Sequence, residues 1–277
     1  MLTAVRLADG RKVLANTSQR WQAPFACGCC GEEAVLAKGP IVVHHFRHKP
    51  EFKECAQERG ESPAHRDCKM AIYEALRSCS AAADVELEKK LGANIADVFA
   101  MIRGQPVAIE VQRSRLDIET ITARTQSYHR QGCFVLWLGL LTDAHCFNEY
   151  APANWERWCH ALYGGRVYYW VSEDVVQPVH FEGCKLNVPA VSWPAASGRE
   201  YSAGGYSKFS KRLRNPLHGT RVQIRDGFSG RVRQAWSGGT VDIPRCSLFV
   251  DKQRPWWSME GRSTATGSPD ESLQANP

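Results

Sequence analysis

Asn94-Ile-Ala-Asp97-Val-Phe-Ala-Met-Ile102, followed by Pro106-Val-Ala-Ile-Glu110-Val-Gln112, is the stretch that decides how this chain folds. Both runs are predicted to be strands, and each is interrupted by one carboxylate among apolar neighbours. A charge on a buried strand is expensive unless something compensates it, and a bound cation is an effective compensator. Glu110 and Gln112 are two residues apart, so their side chains leave the same sheet face, where Gln112 would orient a water or touch a phosphate. If neighbouring strands bring Asp97 beside Glu110, their oxygens form a hard-ligand pocket suited to Mg2+ or Mn2+, ions that bind through few carboxylates plus water and substrate phosphate. Such an ion activates water and offsets charge on a leaving oxygen, as phosphodiester hydrolysis requires. The plainer alternative pairs each acid with an arginine at a sheet end.

Working outward, Ser62-Pro63 is a helix start, with serine capping the first amides and proline at the first helical position. The helix is expected over Ala64 to Cys79, with Met70, Ile72, Tyr73 and Leu76 on its apolar side, followed by an extended run at Asp84 to Glu88. Downstream, Asp117 to Gln131 reads as a second helix stopped by Gly132, and Cys133 to Leu138 as a strand covered on both faces. The order is helix, three strands, helix, strand, an α/β arrangement. A helix at Trp155 to Tyr163 and strands at Arg166 to Val171 and Val175 to Phe181 come next. Beyond Pro189 only short strands are expected, at Thr220 to Ile224, Gly230 to Ala235 and Ser247 to Val250. At the other end, Ala4 to Leu7 and Lys12 to Ala15 form a strand pair around Asp9-Gly10. The expected divisions are 1–58, an N-terminal β module; 59–150, the core; 151–262, a helix and β-rich basic region; and 263–277, a disordered tail with Leu273 as its one large aliphatic.

Composition bounds the rest. A hydrophobic fraction of 43% and a charged fraction of 23% describe an ordinary soluble protein and argue against collagen or coiled coil. The N-terminus is charged and no run approaches the ~20 apolar residues of a membrane span, so a cytosolic protein is expected. The odd count of 11 cysteines, without a signal peptide, argues for free thiols and metal ligands over a disulfide framework. The net charge of +6 is concentrated in Arg199 to Arg262, where 13 Lys and Arg face 5 Asp and Glu. That asymmetry suits a polyanion such as DNA. Within it, Tyr201, Tyr206 and Phe209 interleave with Lys208, Lys211, Arg212 and Arg214, a pattern that stacks bases and neutralises phosphates together.

Cys27-x-x-Cys30, His45, His48 and Cys55 offer five soft or borderline ligands within 29 residues, and Zn2+ takes four. His44 or His45 would join His48, Cys55 would displace one of them, and Cys29 would substitute for Cys30 if the turn registers differently. A closed site of this kind staples a small module and leaves no open position for catalysis.

From Phe25 to about Gly139 the chain resembles the CoiA-like competence proteins. The likeness is carried by Cys27/Cys30, His45-Phe46-Arg47-His48, Cys55, Glu61-Ser62-Pro63-Ala64-His65 with Lys69, Ala96-Asp97, Glu110-Val111-Gln112-Arg113-Ser114 with Leu116, Arg124-Thr125 with Tyr128, and Trp137-Leu138-Gly139. The resemblance implies a restriction-endonuclease-like PD-(D/E)xK core of αβββαβ order behind a zinc-ribbon-like module. It implies a DNA nuclease acting in uptake and recombination, with competence or recombination proteins as partners. Asp97 and Glu110 are then the metal pair, Glu61 the acid from the first helix, and Gln112 stands where the wider superfamily has lysine. Glutamine carries no charge, so Lys69, His65 and Arg124 are the candidates to replace that lysine, with Lys69 preferred because it lies one turn beyond His65. Arg124 and Tyr128, an i, i+4 pair, are candidates for phosphate contact or packing. A defence nuclease and a noncatalytic DNA-binding recombination factor are the rival readings.

Overall fold

The computed structural model of the chain describes residues 1–49, 55, 61–112, 116–147, 149–238 and 241–258. The N-terminal module is a five-stranded antiparallel sheet of β1 (Thr3–Arg6), β2 (Arg11–Leu14), β3 (Phe25–Ala26), β4 (Glu33–Ala37) and β5 (His45–His48), in the order β2-β1-β3-β4-β5. Phe25, Leu36 and Phe46 form its small core.

Next comes α1 (Pro63–Arg77), capped by Ser62, whose hydroxyl accepts from the His65 amide. Then follow β6 (Ala82–Leu91), β7 (Asn94–Ile102), β8 (Gln105–Gln112), α2 (Ile118–Arg130) and β9 (Phe134–Leu140). Asp97 and Glu110 therefore lie inside β7 and β8. The helix, three strands, helix, strand order is the expected one, with α2 capped by the Asp117 side chain. β6, β7 and β8 form an antiparallel meander, and β9 joins β8 in parallel, as a helical crossover requires. α1 packs over β6, β7 and β8, and α2 packs on β9. Val98, Ala100, Val107, Ile109, Val135 and Leu136 are enclosed, which explains the near-continuous apolar runs of these strands.

The sheet does not stop at residue 150. After α3 (Asn154–Leu162), β10 (Val167–Ser172) pairs in parallel with β9, and β11 (Val175–Val188) continues antiparallel. β12 (Val191–Pro194) and β13 (Glu200–Ala203) make a small exposed hairpin, and β14 (Tyr206–His218) returns along β11. β15 (Val222–Gln223), β16 (Phe228–Arg233), β17 (Trp236–Gly238), β18 (Val241–Ile243) and β19 (Cys246–Asp251) complete the described strands. β19 returns to β9, and one hydrophobic core runs from Cys68 to Val250. The expected division at 150 therefore crosses a shared sheet and core. The stretch from 191 to 218, expected to lack strands, is mostly extended, because β12 and β13 pair with each other and β11 is long enough to template β14. The 58/59 division and the tail 263–277 lie outside the described residues.

Candidate functional site

Ladder pairing between β7 and β8 runs from Ile102 opposite Gln105 to Val98 opposite Ile109 and stops one residue short of Asp97 and Glu110. The two strands part there, and the two carboxylates stand at the opening. On the other side of β7, the β6 register sets Leu87 opposite Val98 and Lys89 opposite Ala96, which brings Glu88 level with Asp97. Three neighbouring strands thus carry a row of acids: Glu88, Asp97 and Glu110.

Lys69 enters this row from α1. The residue is 2% exposed, and its ammonium lies 2.6 Å from Glu61 Oε1, 2.8 Å from Glu88 Oε1 and 3.4 Å from Asp97 Oδ1. Burial pulls its pKa down, but Glu88, Asp97 and Glu61 together push it well above the usual lysine value. Asp97 Oδ2 accepts from the Val111 amide (2.9 Å) and lies 3.2 Å from His65 Nε2. Burial pushes the Asp97 carboxyl up, but Lys69 and then His65 hold it well below the usual range. Its side chain keeps 19% exposure, so solvent reaches it.

Glu110 faces different partners. Its Oε1 accepts from Arg124 Nη2 at 2.5 Å and from the Tyr128 hydroxyl. Burial pushes its carboxyl up to about 7; Arg124 and Tyr128 oppose that, and the nearby charge of Asp97 adds to it. Arg124 also donates to the Ile95 carbonyl (3.0 Å) and sits over the Trp137 ring. Tyr128 is fully enclosed, so its hydroxyl serves Glu110 and does not reach a phosphate. The i, i+4 pair from α2 is a clamp on Glu110. Gln112 lies two residues further along β8, half-buried, on the wall of a neighbouring cavity.

Two features escaped the sequence reading. Glu88 binds the ammonium of Lys69, accepts the Leu2 and Thr3 amides (2.8 and 3.0 Å), and accepts the Thr3 hydroxyl (2.6 Å). These contacts hold its backbone at φ 50°, a left-handed conformation that costs a side-chain-bearing residue roughly 1–3 kcal/mol. They also dock the N-terminal module onto the acid row, since the Met1 amine lies 2.6 Å from Glu61 Oε2. In Asp84-Val-Glu-Leu-Glu88, acids alternating with apolar residues read as a solvated strand face and give little sign of this. The second is the pairing of His145 with Glu156, described below.

Among the described residues, one group of three or more Cys, His, Asp or Glu ligand atoms falls within 4.8 Å of one another: Cys27, Cys30, His48 and Cys55. Cys27 Sγ and Cys55 Sγ are 3.8 Å apart, and Cys30 Sγ lies 3.2 Å from His48 Nε2. A tetrahedron with metal–sulfur bonds of about 2.3 Å has edges of roughly 3.8 Å, so the donor set fits zinc. The Gly31 amide closes the turn onto the Cys27 carbonyl, using φ 80° at Gly31, and the Cys29 amide donates to Cys27 Sγ. Cys29 itself points outward. His45 drops out of the expected five: on a strand it emerges on the face opposite His48, and its Nδ1 turns to the Val43 carbonyl.

Residues 61–150 match the family model for the competence protein CoiA, nuclease-like domain. The chain carries a CoiA nuclease-like domain. The match covers less than half of the chain and holds α1 through β9, including every acid of the row. No curated protein and no solved structure matches the chain. Gln112 carries no charge, and Lys69, expected to stand in for a lysine there, is held within carboxylates and does not face open solvent.

Substitution of Cys30 or Cys55 by serine is expected to lower bound zinc per chain, measured by atomic absorption, whereas His45→Ala keeps it; zinc loss in His45→Ala would contradict the assigned ligands. Lys69→Met is expected to destabilise the fold by roughly 3–5 kcal/mol in urea titrations, because it leaves buried carboxylates without their cation. A change under about 1 kcal/mol would show that the ammonium does not hold this cluster together.

Proposed function

We propose that the domain is a metal-dependent deoxyribonuclease with a PD-(D/E)xK-type centre, in which Asp97 and Glu110 hold Mg2+ or Mn2+ at the parting of β7 and β8. The observation that carries this reading is the placement of Asp97 and Glu110 one residue past the end of the β7–β8 ladder, where burial raises the Glu110 carboxyl beside ionised Asp97. The pair fits a hard divalent ion, which takes few carboxylates and keeps water for the remaining positions. Both bonds that Glu110 receives from described residues fall on Oε1, so Oε2 is the oxygen that would hold the cation. Bound there, the ion supplies Lewis-acid stabilisation of phosphate charge and lowers the pKa of water.

The chain's own residues do the rest. Lys69 fixes Asp97 and keeps it ionised, which makes it a positioning residue and not a phosphate contact. Arg124 and Tyr128 aim Glu110. His65 and Gln112, both partly exposed, are the groups left to touch the scissile phosphate or attacking water. Lys208 lies exposed on β14 and Arg214 half-buried on the same strand. With Tyr206 and Phe209, the latter 69% exposed, they give a basic aromatic strand for DNA. The side chains of Lys211 and Arg212 lie outside the described set. The zinc cluster is structural in this reading, which we extend to a role in DNA uptake and recombination, with the match to the CoiA nuclease-like domain as its support.

A noncatalytic DNA-binding factor is the second reading, favoured by the engagement of Glu110 with Arg124 and Tyr128 and by glutamine at 112. Linear, supercoiled, single-stranded and branched DNA with Mg2+ or Mn2+ separates the two. Cleavage is expected, falling about 100-fold or more in Asp97→Ala and in Glu110→Gln; cleavage that survives either substitution sinks the site, and tight binding without cleavage supports the rival. The cation must displace a proton from Glu110, whose folded value is raised from 4.5 to about 7. Apparent Mn2+ affinity should therefore rise up to about tenfold per pH unit below 7 and level off above it. A flat profile from pH 5 to 8 would remove Glu110 from the ligand set.

A further inference from the structure

β8, β9 and β10 run parallel, and a cavity of about 610 Å3 lies beyond their C-terminal ends. In open α/β sheets this is where ligands bind. It adjoins the acid row on two sides. Gln112 on its wall is two residues from Glu110, and Ala64 precedes His65, the partner of Asp97.

The lining is aromatic, with Tyr150, Trp155, Tyr169 and Trp170, and among the described residues it includes neither lysine nor arginine. Its single carboxylate, Glu156, accepts from the hydroxyls of Tyr150 (2.9 Å) and Tyr169 (2.6 Å) and from the Ala153 amide (2.6 Å). Burial raises the Glu156 carboxyl, but His145 and these bonds bring it below the usual value, so it is ionised at neutral pH. His145 sits between the rings of Tyr150 and Tyr169. Its Nδ1 accepts from the Thr142 amide, and its Nε2, 3.5 Å from Glu156, is buried without a hydrogen-bond partner.

The surfaces are set in place. The Trp170 indole is fixed by donating to the Glu173 carbonyl (2.9 Å). Gly139 lets the rings close on β9, since a methyl group there would meet the Tyr169 ring at 2.7 Å. Glu156 is buried and engaged by Tyr150, Tyr169 and the Ala153 amide, so it holds the rings in place, and the flat aromatic faces suit a planar ring, as bases stack on aromatic side chains. The volume lies within the range of small-ligand sites and exceeds that of one base.

We propose that this cavity is a subsite for one unstacked nucleobase of the DNA strand whose backbone lies across Asp97 and Glu110. It rests on the DNA-nuclease reading and restricts it to single-stranded or locally opened DNA. The fluorescence anisotropy of a short labelled single strand, in Mg2+-free buffer, tests it with a series of strands carrying one abasic site at successive positions. One position should weaken binding roughly 5- to 100-fold. That penalty should vanish in Trp170→Ala and return in Trp170→Phe, which keeps a stacking face. Equal losses at all positions, a penalty that persists in Trp170→Ala, or no single-strand binding overturns the subsite. Adding Mg2+ to the intact strand reads cleavage separately. A position-specific penalty without cleavage leaves the subsite standing and removes the nuclease, and cleavage without the penalty does the reverse.

Discussion

Lys69 brings a full positive charge into the space between α1 and the sheet, and three carboxylates, from β6, β7 and the segment before α1, converge on it. Such an ion is costly to bury alone, so Glu61, Glu88 and Asp97 and the ammonium each require the others. The constraint reaches far beyond the helix. Glu61 is set just before the helix N-cap Ser62, and Glu88 is forced into a left-handed backbone. Asp97 is turned towards the gap between β7 and β8. Through Glu88, the first strand of the N-terminal module is tied to the same cluster, so the zinc-fitting module and the acid row share one hydrogen-bond network.

Glu110 stands at the edge of that network with a different status. The depressed carboxyls contribute stability above their unfolded pKa values that is lost as pH falls through their folded ones, whereas Glu110 does the opposite. It holds a proton that the unfolded chain has released between about 4.5 and 7, so ionising it within the folded protein opposes folding. In the reading proposed above, a divalent cation at the parted strands would substitute for that proton. Structure and proposed chemistry meet at this one residue, because the burial that makes Glu110 a poor anion would favour a metal there once it is charged.

Local signals carried the core. Ser62-Pro63, Asp117 and Gly132 punctuate the helices, and the apolar runs of β7, β8 and β9 mark strands buried on both faces, so the order of elements was legible residue by residue. Long-range features were not. Glu88 joins the acid row only through the β6 register, which an alternating charged strand does not specify. The choice of His48 over His45 was within reach, since residues three apart on a strand face opposite ways, but it required knowing that 45–48 is extended. Arg124 and Tyr128 were recognised as a pair, and only the packing of α2 shows that they hold Glu110. Of the strands from 191 to 218, β14 depends on β11 as a template while β12 and β13 pair with each other, and all leave a weak pattern in a Gly- and Ser-rich sequence.

The central claim is that one cation bridges Asp97 and Glu110. A crystal of the full chain grown with Mn2+, with anomalous scattering recorded at the manganese edge, measures it directly. The account predicts a peak between β7 and β8 with a carboxylate oxygen of each residue at roughly 2.1 Å. A well-ordered site in which manganese binds elsewhere, with Glu110 still held by Arg124 and Tyr128, would contradict it.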